Sequence, residues 1–83
     1  MNLTSVNKRM TLTNAKAHQY YQIKALPSNH EKEARLIEQG IFVGCQLKLV
    51  AISPFNGPLA IAVHDSAFSL PSELAAEIEV EVV

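Results

Sequence analysis

The sequence contains one cysteine, no tryptophan and only three glycines. A single thiol, Cys45, cannot form a disulfide within the chain, which excludes the cross-linked framework of small secreted domains. Charge is scarce as well: seven Lys and Arg stand against eight Asp and Glu, for a net charge of -1. There is no basic run, and nucleic-acid binding draws on clustered cations that release counterions from phosphates, so composition argues against a nucleic-acid partner. Long apolar runs are missing too. The longest uncharged stretch, Leu49 to His64, is interrupted by Ser53, Pro54, Asn56, Gly57 and Pro58, and nowhere reaches the roughly 20 apolar residues that span a bilayer. Direct membrane insertion is therefore not expected. Met1 to Met10 lacks the charged, apolar and small-residue arrangement of a secretory signal, so the expected location is the cytoplasm.

What is present is 48% hydrophobic residues in 83, the composition of one small domain with one core. Residues 1–10 show no apolar period and are expected to form a flexible lead, with a single domain over residues 11–83 and the first packed element near Leu12. In residues 19–26, Tyr21, Ile23 and Ala25 fall on one side and Tyr20, Gln22 and Lys24 on the other, which predicts a strand ended by Pro27. Ser28 with Glu31 fits a capping box, and the helix predicted over residues 29–39 carries a narrow apolar stripe of Ala34, Leu36, Ile37 and Ile41. Gly40 stands where a left-handed residue closes a helix, with Ile41 folding back onto Leu36 or Ile37. Next, Leu47, Leu49 and Ala51 alternate with Lys48, Val50 and Ile52; the second half of this strand is apolar on both sides and is expected to be central. Pro54-Phe55-Asn56-Gly57-Pro58 is dense turn chemistry, so residues 59–63 should return antiparallel as a hairpin. A turn at Asp65-Ser66, a strand over residues 67–70, a helical turn from Pro71 to Ala75 and a last strand through Ile78, Val80 and Val82 complete the pattern. The expected fold is mainly β: a small, bent antiparallel barrel of about five strands with one inserted α-helix, closed so that no edge is left open.

The stretch Arg35-Leu36-Ile37-Glu38-Gln39-Gly40-Ile41-Phe42-Val43-Gly44 resembles the Arg-Leu, then Gly-(Leu/Ile/Met)-x-x-Gly signature of the FeoA family, small cytoplasmic proteins of bacterial ferrous iron transport. Ser53-Pro54-Phe55-Asn56-Gly57-Pro58-Leu59 is similar to that family's Pro-x-Gly-x-Pro hairpin tip, Phe68-Ser69-Leu70 to its short apolar strand, and Leu74-Ala75-Ala76-Glu77-Ile78-Glu79-Val80 to its Ala-x-x-Ile-x-Val ending. The resemblance covers residues 11–83. It implies an SH3-like barrel with an inserted helix, structural turn roles for Gly40, Gly44, Pro54, Gly57 and Pro58, and a partner rather than a reaction: the membrane-bound FeoB-type GTPase transporter. Related domains at the end of iron-dependent repressors imply an interaction module. The chain departs from the family pattern at Pro71, where a basic residue is usual, and near His18 and Ser66, where glycines are usual.

His18, His30, His64, Cys45 and Asp65 are the residues that suggest metal chemistry. His64 and Asp65 are neighbours, and adjacent residues of an extended chain face opposite ways, so they are weak candidates for a shared ion. Cys45 has no second cysteine nearby and is expected to pack as a small hydrophobe. No cofactor is expected. Gly-rich phosphate loops, Gly-x-Ser-x-Gly and His-Glu-x-x-His are all missing, and so small a chain has little room for a substrate pocket beside its core, which argues against an enzyme. The acidic row Glu77, Glu79 and Glu81 is read as a solvated face that protects an edge strand, over the alternative of a docking surface for a basic partner. Tyr20 and Tyr21 point opposite ways, so only one of them can line a groove.

Phe42 and Phe55 sit in tight connections among glycines and prolines, where a large apolar side chain is not forced into the core. With Asn56 they are the candidate partner-binding residues, on a surface formed by the Phe42 connection and the Pro54 to Pro58 tip. The function expected is that of a non-catalytic accessory protein of ferrous iron uptake. Two alternatives stand beside it: a protein that carries or senses ferrous iron directly, and a stand-alone interaction domain like that of the repressors. Weak self-association stays open.

Overall fold

Alternation of apolar and polar residues builds most of the architecture. The computed structural model describes residues 9–83 and runs β1 (Met10–Thr11), a 3-10 turn (Leu12–Asn14), β2 (Gln19–Ala25), α1 (His30–Glu38), β3 (Gln46–Ile52), β4 (Leu59–Val63), β5 (Ser66–Leu70), α2 (Ser72–Ala75) and β6 (Glu79–Val82). All pairings are antiparallel, in a single six-stranded sheet of order β1-β6-β2-β3-β4-β5. The inward residues Tyr21, Ile23, Leu47, Leu49, Leu59, Ile61, Val63, Leu70, Ile78 and Val80 join Leu12, Leu36 and Ile41 in one buried core. Among the described residues no helix is long and apolar enough to cross a membrane.

Several expectations are corrected by this arrangement. The barrel is bent but open, because β1 and β5 are the two ends of the sheet order and do not pair with each other. The additional strand is β1, where Met10 pairs with Val80 and Thr11 with Glu79. Met10, expected within the lead, is therefore paired in a strand; residues 1–8 of the expected lead lie outside the described residues. β6 runs between β1 and β2, so the glutamates of its row do not guard an edge. Strand order is a tertiary property that an isolated strand sequence does not carry.

The entry of α1 is capped by Asn29, whose side-chain oxygen accepts from the Lys32 N–H at 3.0 Å, and not by Ser28. Both residue types cap well, and the chain uses the one a residue further on. The C-terminal end follows the expected form. Gly40 has φ +86°, the Ile41 N–H donates to Leu36 O at 2.9 Å and the Gly40 N–H donates to Ile37 O at 2.9 Å, the paired bonds of a Schellman cap. Leu36 and Ile41 are buried together as its hydrophobic contact. Ala34 and Ile37, expected in the apolar stripe, are exposed instead, so α1 docks on the sheet through its last turn.

β3 also departs from strict alternation. Leu49 pairs with Ile61 but Ala51 pairs with Ala60, so Val50 is the extra residue of a β-bulge. The bulge reverses the phase: Ala51 shares a face with the outward Ala60, and Ile52 shares a face with the inward Leu59. Moreover, β2 ends its pairing with β3 at Gln19↔Leu49. The second half of β3, expected to be central, has only β4 beside it, and Val50, Ala51 and Ile52 are all exposed.

Candidate functional site

Past Ile52 the β3–β4 hairpin closes in a tight turn. The Ser53 N–H donates to Pro58 O and the Gly57 N–H donates to Pro54 O, each at 3.1 Å. The two central residues, Phe55 and Asn56, have φ of +57° and +59°, the signature of a type I′ turn, whose twist matches that of the flanking strands. Asn is at home in this conformation; Phe is not, and a left-handed backbone costs a residue with a Cβ roughly 1–2 kcal/mol. Gly57 is required for a steric reason: a Cβ there would lie 2.7 Å from the Ser53 Cβ and 3.1 Å from Pro54 O. Asn56 O accepts from the Ser72 hydroxyl at 2.8 Å, which ties the tip to the start of α2. On this fastened turn the Phe55 side chain is 99% exposed. Nothing within the domain is gained from a phenylalanine here.

Phe42 is built differently. The Cys45 N–H donates to Phe42 O at 3.1 Å and Gly44 has φ +97°, the pattern of a type II turn with its left-handed third residue. The turn is fastened to β2 through the Gly44 N–H, which donates to Ile23 O at 2.8 Å. Phe42 is 42% exposed and lies beside His64, with ring centroids 6.4 Å apart. Ile37 and Val43 are exposed near it in sequence.

The two phenylalanines do not form one surface. Phe42 precedes β3 and Phe55 follows it, so the seven residues of the strand separate them, roughly 20 Å at about 3.3 Å per residue. The surface expected to combine both connections is thus divided between opposite ends of the hairpin.

His64 and Asp65 form the two-residue connection between β4 and β5, in place of the turn expected at Asp65-Ser66. Both are exposed, and His64 has φ +56°. His18 likewise has φ +68°. These two left-handed histidines lie at or near the positions where family glycines were noted as missing, and histidine tolerates the region better than most residues. Cys45 is buried, and the His30 side chain is fully exposed, 4.0 Å from Glu33. Among the described residues no group of three His, Cys, Asp or Glu side chains is gathered where it could hold a metal ion.

The acidic row is matched internally. Glu77 meets Lys32 at 2.7 Å, Glu79 meets Arg9 at 3.3 Å, and Glu81 meets both Lys24 at 3.7 Å and Arg9 at 3.8 Å. Of the tyrosines, Tyr21 is buried, with its hydroxyl accepting from the Lys16 N–H at 2.8 Å, whereas Tyr20 is exposed beneath the Lys48 ammonium. An open depression of about 610 Å³ lies between His18, Gln19, Tyr20, Gln46 and Val83, with no Asp or Glu side chain in its lining.

The FeoA domain family matches residues 10–82. The chain belongs to the FeoA family. It is a family of small accessory domains associated with ferrous iron transport, and not a known family of enzymes. Among solved structures, FeoA from Chlorobium tepidum is similar at TM-score 0.82 and 20% identity, covering 89% of this chain and 70% of that one. Iron(II) transport protein A from Clostridium thermocellum is similar at TM-score 0.82 and 27% identity, over 89% of this chain and 46% of that one. A manganese-dependent transcriptional repressor is similar at TM-score 0.82 and 18% identity; the match covers 94% of this chain but 44% of the repressor. No curated protein matches the sequence.

Proposed function

We propose that this chain is a non-catalytic accessory protein of bacterial ferrous iron uptake that works in the cytoplasm and docks on the cytoplasmic part of a FeoB-type membrane GTPase transporter. The observation that carries the reading is Phe55: an aromatic side chain 99% exposed, held on a left-handed turn that disfavours it, with Gly57 and the Ser72 hydroxyl fixing the turn's shape. Strain with no offsetting contact of the ring inside the domain supports a contact outside it. The backbone that carries the ring is already held by the turn and loses little entropy when the ring enters a partner's pocket, which favours hot-spot behaviour. Asn56, whose side chain makes no hydrogen bond among the described residues, supplies polar contacts at the rim. Phe42, at the far end of the hairpin, serves a second and smaller contact.

The test is Phe55→Ser, followed by calorimetric titration against the transporter's isolated cytoplasmic domain and by thermal unfolding. Binding should weaken by about 1–3 kcal/mol with the unfolding temperature unchanged or slightly raised. Unaltered binding, or a large loss of stability, overturns the proposal. A second reading, a stand-alone interaction domain that meets a regulator, is favoured by the likeness to the manganese-dependent repressor. It predicts binding to a repressor fragment, and none to the transporter. Direct carriage of ferrous iron has less support, since the described His, Cys, Asp and Glu side chains are dispersed.

A further inference from the structure

The two edges of the open sheet are unequal. β1 is only two residues long and lies beside Arg9, which is ion-paired to Glu79 and Glu81, so it is short and charged, as protected edges are. β5 has none of these protections. Its five residues, Ser66–Leu70, include no charge, no proline and no bulge, and pair without interruption to β4 alone. In a hairpin with a two-residue connection the closing pair, here Val63 and Ser66, exchanges hydrogen bonds, and the alternation places Ile61 with Phe68 and Leu59 with Leu70 in the same class. Ala67 and Ser69 therefore turn their N–H and C=O groups away from β4, and among the described residues no strand meets them. Both side chains are exposed and small, and the half-buried Ala60 and Ala62 beside them are small too, so nothing overhangs the approach.

We infer that β5 is a self-recognition edge, on which a second copy of this chain pairs antiparallel about a two-fold axis at Phe68. The register follows from the free groups. With Phe68 opposite Phe68 of the second copy, Ala67 stands opposite Ser69 of that copy and the reverse, and every free N–H and C=O of these residues is satisfied. Shifting the pairing one way sets Ala67 against Pro71, which has no N–H; shifting it the other way sets Ser69 against the Asp65 connection. At the axis the two phenylalanines form a non-hydrogen-bonded pair, whose Cα atoms approach to about 4.5 Å. Each half-buried Phe68 ring, already packed on its own core, covers the exposed part of the other. A net charge of -1 opposes the approach little. So short an edge buries far less than the about 1,200 Å² of a stable interface, which makes the dimer a weak one, half-formed at about 0.1–1 mM. This surface is distinct from the Phe55 tip.

Sedimentation equilibrium of the full chain from about 10 µM to about 2 mM should show reversible dimerisation, and the Ala67 and Ser69 amides should gain hydrogen-exchange protection only at the upper end. Ser69→Pro removes one outward donor without touching the β4 ladder, and should weaken dimerisation at least about tenfold while preserving the unfolding temperature. Ala67→Lys, which sets like charges near each other across the axis, should do the same and keeps the test decisive if the proline variant does not fold. A monomer throughout the range overturns the inference. So does a dimer in which the two amides stay unprotected, or one that Ala67→Lys leaves unchanged.

Discussion

The two ends of the β3–β4 hairpin each carry a phenylalanine, and they are built in opposite ways. At one end, Phe42 follows a helix cap whose glycine takes a conformation natural to it, and the ring rests against His64. At the other, a turn of the type that favours Asn-Gly accepts Phe and Asn at its left-handed positions, and the Phe55 ring touches nothing that would offset the strain. Phe42 is partly covered on an ordinary backbone, whereas Phe55 is uncovered on a left-handed one. The difference separates a ring that packs in part within its own domain from one that does not pack there at all.

The contrast can be broken most severely at the helix cap. Gly40→Val places a branched side chain at φ +86°, with the Cβ 3.4 Å from the His64 ring; it should cost about 2 kcal/mol and lower the unfolding temperature by on the order of 10 °C. A smaller loss is expected at Phe42. Replacing it with Ser removes a partly covered ring and should cost about 1 kcal/mol, read as a shift in the denaturant midpoint at constant slope. The smallest effect has the opposite sign. Phe55→Gly relieves the left-handed strain at the expense of unfolded-chain entropy, for a net gain of about 0.5 kcal/mol, together with weakened binding to the transporter domain. If Phe55→Gly destabilised the domain, the two ends would not differ in the way described.

Much of this fold was legible because local rules acted without competition. Tyr21 and Ile23 in β2, and Leu59, Ile61 and Val63 in β4, have the alternation of half-buried strands and are buried accordingly. Gly40 followed by Ile41 announced the cap that forms. The failures have physical causes as well. Val50 has the same apolar character as its neighbours, so nothing local marks it as a bulge; the bulge arises where β3 outruns β2 and is free to twist. Ile37 and Ala34 have helical spacing, but the sheet offers α1 a seat only at Leu36. As for the candidate site, the type of residue at the tip could be read, while the separation of Phe42 from Phe55 depended on which strand lay between them.

The docking of α1 by one end has a kinetic consequence. β2 and β3 are neighbours in the sheet, as in Gln22↔Gln46, yet the whole helix is interposed between them, whereas β3, β4 and β5 are joined by short turns. Closing the long connection must be met by chain entropy before any β2–β3 contact is rewarded, so the β3–β4–β5 meander should organise first and β2 should arrive after the rate-limiting step. Comparison of Ile61→Val with Ile23→Val in folding kinetics would then show the first slowing folding and the second mainly speeding unfolding; the reverse pattern would place the nucleus at the helix instead.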